Sequence, residues 1–244
     1  QEEVAELAGW MRKRVEEAGV KPPFTFFDFT TAMALLYFKQ KMVDLAVLEV
    51  GLGGRLDSTN VVDPLLSIIT NIGKDHEEQL GQSLLKIAGE KAGIIKNGRP
   101  LLTAATQPQV LRLFSKICRE KRSPYYRVGK ELRYVQNGER NFDYEGLHRK
   151  LWNISLNLGG PHQIINATTA LGAMEVLDDL GYSVSNDAMV EGVKEVEWPG
   201  RLETVCSSPR VVLDGAHNPA GALALKESME KEFQFHHLNL ILGV

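Results

Sequence analysis

The chain has 244 residues, 43% of them apolar and 24% charged, an ordinary balance for a folded protein of one large or two modest domains. A net charge of −3 leaves no general basic footprint for nucleic acid, and no run approaches the roughly 18 apolar residues that span a bilayer. The two cysteines, Cys118 and Cys206, lie far apart without metal-ligand spacing, which fits packing thiols in a reducing, cytoplasmic setting.

In chain order, Val4, Leu7, Ala8 and Met11 mark one face of an amphipathic helix over 2–18, closed by Lys21-Pro22-Pro23. A second apolar helix follows over 25–40. Strands are predicted at 45–50, 67–72 and 100–103. A helix over 84–96 carries Leu85, Ala88, Ala92 and Ile95; Asn97-Gly98 turns out of it, and another helix follows Pro108. From 125 to 158 the pattern changes to short strands, with Asn137-Gly138 as a hairpin turn. Gly159-Gly160-Pro161 then gives way to helices over 163–180 and 187–196. Trp198-Pro199-Gly200 breaks the pattern, so the expected domains are 1–197 and 198–244. The second holds a strand at 210–213, a helix over 220–233 and a last apolar run at 238–244 that reads as a strand. Alternation of helix and strand predicts an α/β fold, a mostly parallel central sheet flanked by helices plus part of a smaller α/β domain. Opening inside a helix at Gln1 and closing on an apolar run, the sequence reads as an internal piece of a longer protein.

The most informative stretch is Glu49-Val50-Gly51-Leu52-Gly53-Gly54-Arg55-Leu56-Asp57-Ser58-Thr59-Asn60. Ligands of open parallel sheets bind past the carboxyl ends of strands, where a Glu beside glycine-rich backbone can hold a metal or a phosphate. A tight turn with a water-facing Glu is the other reading. Thr70-Asn71-Ile72-Gly73-Lys74-Asp75-His76 ends a second apolar strand and puts His76 in the following loop, as a ligand or as a loop and cap residue. Lys91, next to Glu90 on a helix, reads from spacing alone as a surface charge. His162, Gln163 and Asn166 open the long helix, where polar side chains cap or hold an anion. Asp214 and His217 sit in a small-residue strand-to-helix turn, and Arg201 stands at the domain junction, able to clamp a phosphate or pair with a carboxylate. Neither a nucleophile elbow nor a Gly-x-x-x-x-Gly-Lys-Ser/Thr phosphate loop occurs.

The order of these motifs says more than any one of them. Glu-Val-Gly-Leu-Gly-Gly-Arg-Leu-Asp-Ser-Thr-Asn, Thr-Asn-Ile-Gly-x-Asp-His, Glu-Lys-Ala-Gly-Ile-Ile-Lys, His-Gln-x-x-Asn-Ala, Trp-Pro-Gly-Arg-Leu-Glu and Asp-Gly-Ala-His-Asn-Pro occur in series. The series resembles the bifunctional dihydrofolate synthase/folylpolyglutamate synthase family of the Mur ligase superfamily. The resemblance implies a monomeric enzyme that joins L-glutamate to a pteroate or folate carboxylate with ATP and magnesium, through an acyl phosphate. It implies magnesium ligands at Glu49, His76 and a carbamylated Lys91, and nucleotide contacts from His162, Gln163, Asn166, Arg201, Asp214 and His217. Lys91 and His217 are the implied catalytic residues. Asp28 departs from the family, which usually carries Glu there, and the family's phosphate loop has no counterpart in these residues, so the chain alone is expected not to turn over. Two rivals remain: a Mur-type ligase of another acid, and a non-catalytic nucleotide-binding protein.

Overall fold

The computed structural model describes residues 2–19, 24–73 and 77–243, apart from the Glu77 side chain. Two compact units divide at Asp63/Pro64. The first pairs α1 (Glu2–Glu17) with α2 (Phe26–Lys41), followed by the glycine-rich segment and a 3-10 turn at Ser58–Val61. A capping box sets the start of α2: the Thr25 hydroxyl accepts the Asp28 N–H at 3.0 Å, and the Asp28 carboxylate accepts the Thr25 N–H at 2.7 Å.

The second unit is built on three parallel strands in the order β1 (Ser67–Ile69), β2 (Leu101–Thr103), β3 (Tyr125–Arg127). Consecutive residues of β2 serve opposite faces, as the pleat requires. Leu101 packs with Val110, Phe114 and Cys118 of α5 (Pro108–Glu120) and with Ile87, Ala88 and Ala92 of α4 (Leu84–Ala92). Leu102 packs on the other side with Ile164 and Leu171 of α6 (Pro161–Asp179). A parallel sheet covered on both faces is the expected α/β architecture. A second, antiparallel sheet of β4 (Arg133–Gln136), β5 (Asn141–Glu145) and β6 (Lys150–Ser155) packs Phe142, Tyr144, Leu151 and Ile154 into the same core as α6 and α7 (Asn186–Glu195). Asn137-Gly138 does lie in the β4–β5 turn, closed by an Asn137 N–H to Asn141 O bond of 3.0 Å. Last come a two-stranded hairpin, β7 (Glu203–Ser207) and β8 (Arg210–Leu213), and α8 (Pro219–Glu232), which packs on α6. The short helix at Glu77–Leu80 becomes α3 in this order. Among the described residues no helix is long and apolar enough to cross a membrane.

Three expectations need correction. Residues 45–50 and 238–243 form no strand, because neither run has a ladder partner among the described residues; Val47 is 98% and Ile241 96% exposed. The helix from Leu84 ends at Ala92 and not at residue 96: the Gly93, Ile94 and Ile95 amides bond to carbonyls three residues back, tightening the chain into turns that carry Ile95 into the core. Strand β7 was not anticipated: its residues are mostly exposed, Val205 included, and only pairing with β8 defines it. The Lys21-Pro22-Pro23 stop lies outside the described residues, and the Trp198 break falls inside the second unit.

Candidate functional site

In the first unit Glu49 lies on an exposed, unpaired stretch and not at the end of a strand. Its carboxylate makes no hydrogen bond or ion pair among the described residues, so its oxygens are available to a ligand. The loop beyond it is shaped by its own chemistry. Gly53 (φ 70°) and Gly54 (φ 155°) take backbone conformations that L side chains rarely adopt. A Cβ at Gly51 would meet the Phe27 ring at 2.7 Å, so this glycine admits close packing against α2. Asp57 closes the loop, accepting the Leu52 N–H at 2.9 Å and the Thr59 N–H at 3.0 Å. Desolvation pushes its carboxyl up, but bonds from Thr59, Leu52 and Gly51 outweigh it and hold the group below the usual range. Asp28 also has a local task. The Ser58 hydroxyl and Thr25 both donate to it, keeping it ionised below its ordinary range and tying α2 to the 58–61 turn.

In the second unit the remaining residues fall into two groups. Lys91 stands half-buried in the last turn of α4, without a side-chain partner among the described residues. His76 lies outside the described residues. His162, Gln163 and Asn166 lie at the start of α6, and Arg201 and Asp214 act on His162 there, while His217 stays in the strand-to-helix turn. His162 is the second residue of that helix and Gln163 the third; Gln163 is buried and accepts from Asn166 Nδ2 at 3.0 Å. That bond leaves the exposed Asn166 with an acceptor oxygen and one donor hydrogen, the pair needed to read a planar heterocycle's edge. Desolvation holds the His162 imidazole below its ordinary value. Arg201 pushes the same way, and the Asp214, Glu227 and Glu232 carboxylates oppose it. An imidazole, a guanidinium and a carboxylate from distant segments therefore share one electrostatic neighbourhood.

The 200–218 segment is positioned by backbone bonds. Asp214 accepts the Leu202 N–H and the Ala216 N–H, both at 2.9 Å, and the Gly215 N–H reaches Gly200 O at 2.8 Å. Leu202 is held at φ 48°, an outlier for a branched apolar residue, with its side chain buried. The guanidinium of Arg201 lies where a side chain at residue 215 would stand, which accounts for the glycine of Asp-Gly-Ala-His. His217 is exposed, with Nδ1 2.9 Å from Gly215 O, and Asn218 caps α8 by accepting the Gly221 N–H at 2.8 Å. Asp214 thus builds the turn as well as facing outward.

Sequence reasoning missed Glu232, the last residue of α8. It accepts from Arg140 Nε at 2.9 Å and Nη2 at 2.7 Å, and from the Gly160 N–H that opens α6. Its partners are 92 and 72 residues away, so no local signal announced it.

For magnesium the donor chemistry is incomplete. Among the described residues no three His, Cys, Asp or Glu side chains gather as a metal site. A hard cation takes oxygen donors, which the free Glu49 carboxylate offers and an unmodified Lys91 amine does not. The described residues alone therefore do not make up the ion's site.

The Mur ligase middle domain family model matches residues 5–174. The Bacillus subtilis (strain 168) protein named dihydrofolate synthase/folylpolyglutamate synthase is 39% identical over 226 residues, 90% of this chain and 52% of that protein. Among solved structures, an FPGS–AMPPCP–folate complex aligns with a TM-score of 0.88 at 30% identity, over 95% of this chain and 58% of that one. Mycobacterium tuberculosis folylpolyglutamate synthase complexed with ADP and AMPPCP aligns at 0.85 and 34% identity, over 95% of this chain and 55% of that one. The chain spans about half the length of the curated relatives it matches. With its middle-domain match covering more than half of its residues, the chain belongs to the Mur ligase family.

Proposed function

We propose that the protein containing this chain is an ATP-dependent ligase that joins L-glutamate to dihydropteroate, to a reduced folate, or to both. The observation that carries the reading is the packing of the 201–215 segment on the start of α6, where Leu202 crowds Gly159, Asp214 accepts the Leu202 N–H and Arg201 fills the space over Gly215, with His162 beside them. It supplies a neutral ring, a fixed cation and an outward carboxylate beside a helix N-terminus, which suits a nucleotide's base, phosphates and ribose. Support comes also from relatives named for this activity and from aligned structures holding AMPPCP or ADP.

In this reading the acceptor carboxylate attacks the γ-phosphorus, ADP leaves, and an acyl phosphate forms. The glutamate amine then attacks the acyl carbon, phosphate departs, and an amide remains. The protein's task is to place two anions together and offset the charge of the transferring group. Asn166, braced by Gln163, reads the adenine edge. His162, kept neutral near pH 7, serves as a hydrogen-bonding ring, and Arg201 carries the positive charge to the phosphates. Asp214 and His217 face the ribose and phosphates from the strand-to-helix turn. Glu49, His76 and a carbamylated Lys91 are the proposed magnesium donors, and the bound ion would neutralise phosphoryl charge. The proposed domain boundary stays at Trp198-Pro199-Gly200, so that 1–197 forms the central ATP-binding domain and 198–244 opens the glutamate-ligase domain.

The test uses protein expressed from the complete natural reading frame, with ATP, glutamate and a pterin acceptor labelled with 18O in its carboxylate. The reading expects a product heavier by one glutamate residue and one label in the released phosphate. An unlabelled phosphate removes the acyl phosphate; an unchanged acceptor with both dihydropteroate and tetrahydrofolate removes the ligase.

A further inference from the structure

The joint between α8 and the start of α6 is closer and more polar than packing alone requires. Glu232 is 5% exposed, and its carboxylate receives three hydrogen bonds, two from Arg140 and one from the Gly160 N–H. Arg140 reaches on through Nη1 to Asn157 O at 3.0 Å, while Leu156 N–H returns to Arg140 O at 2.8 Å. The residues leading into α6 are thus bound from both sides. One turn earlier on α8, Ser228 is 1% exposed. Neither glycine beneath has room for a side chain: a Cβ at Gly159 would press on Leu202, Arg140 and Glu232, and one at Gly160 on His162 and Ser228. A carboxylate placed on the leading amide of a helix is also favoured by the helix dipole.

We propose that Glu232 is a positioning residue, a latch that fixes the His162–Asn166 end of α6 against the Arg201–Asp214 segment and thereby sets affinity for the adenine nucleotide. The proposal rests on the nucleotide-binding reading given above. Glu232 itself is not placed against the nucleotide; it acts through the Gly160 backbone and Arg140. A carboxylate that merely stabilised the fold would alter melting but leave the balance between nucleotide affinity and turnover unchanged. A latch changes affinity while leaving kcat at saturating nucleotide nearly intact, because the reacting groups are untouched.

The experiment uses protein from the complete reading frame with Glu232→Ala, Glu232→Gln and, as a control on the exposed face of α8, Glu230→Gln. Two quantities are read: hydrogen exchange at the Gly160 and Gln163 amides without ligand, and the Kd for AMPPCP beside kcat at saturating ATP. Losing a charge-assisted bond of this kind predicts a Kd raised about tenfold in Glu232→Ala. Exchange at residues 160 and 163 should quicken and kcat should stay within about threefold. Glu232→Gln, which keeps an acceptor oxygen for the Gly160 N–H, should recover most of the affinity, and Glu230→Gln should match the wild type. Wild-type nucleotide affinity in Glu232→Ala, or a Glu232→Gln as weak as the alanine variant, overturns the latch alone. A wild type that binds no adenine nucleotide overturns the functional reading and the latch together, so the two failures are distinguishable.

Discussion

Residues 67–196 and residues 201–243 lie in one unit yet are held by different forces. The first region buries long apolar side chains on both faces of β2, with Leu101, Leu102, Phe114, Ile154, Ile164 and Leu171 at 1% exposure or less. The second buries only Leu202 and Ser228 among its described residues; Asp214 and Gly215 shape its turn through polar bonds, and Glu232 ties it to Arg140 and Gly160 of the first. Apolar burial is strong and non-directional, worth about 1.5–3 kcal/mol per large side chain, whereas one internal hydrogen bond nets about 1 kcal/mol but fixes a direction. Stability should therefore reside in the first region, and the aim of the site residues in the second.

Substitutions can break that division. The largest effect is expected from Phe114→Ala, which empties a fully buried aromatic position beneath the parallel sheet and should cost about 4 kcal/mol in urea unfolding. A loss under about 1 kcal/mol there would remove the α5 core from its role. Arg140→Ala comes next, at about 2 kcal/mol, because it strands a nearly buried Glu232 carboxylate. Glu232→Ala should cost less, about 1 kcal/mol, since it leaves a partly exposed arginine to water. The reverse ranking would mean that the pair is not anchored as described. Gly172→Ala sets two effects against each other. Alanine improves helix propensity by about 1 kcal/mol. Its Cβ, however, would run into the buried Leu132 side chain and come within 3.2 Å of Leu102, and overpacking of this sort costs about 1–3 kcal/mol. A net loss of about 1 kcal/mol is expected, and a gain would show that Leu132 can shift freely.

A finer test is the titration of His162. Its folded pKa lies below the ordinary 6.5, so the unfolded chain takes up the proton first as pH falls. The ring contributes nothing to pH dependence above that range, and its contribution to stability declines as pH drops through about 6.5. An NMR titration of His162 should give a midpoint below the ordinary 6.5; a midpoint above it would mean that Asp214, Glu227 and Glu232 outweigh desolvation and Arg201. The smallest effect belongs to Glu230→Gln, which removes an exposed ion pair with Lys226 and should stay within about 0.5 kcal/mol.

The same division decided what the sequence disclosed. Elements whose pattern reflects burial were legible: α6 starts two residues before its predicted start, and β8 occupies its predicted residues. The 45–50 run misled because apolar content states a preference for burial and pairing without supplying the partner, and Val47 is nearly fully exposed. Strand β7 was hidden for the opposite reason, being an exposed ribbon with no buried face, defined only by hydrogen bonds to β8. In the site, the motif order pointed to the family although spacing alone favoured the ordinary reading of Lys91. Glycines 51 and 215 turned out to serve packing against Phe27 and Arg201, which no pattern within their own motifs reveals. The Glu232 joint was invisible because a polar contact between segments 72 and 92 residues apart leaves no periodic trace.

The most direct test of the central claim is glutamate-dependent ADP release by the protein of the complete reading frame, with dihydropteroate and tetrahydrofolate offered separately, beside its Glu49→Ala variant. The account predicts release that requires both glutamate and at least one of these acceptors and that is lost in the variant. A folded, ATP-binding protein that releases no ADP with either acceptor would contradict it.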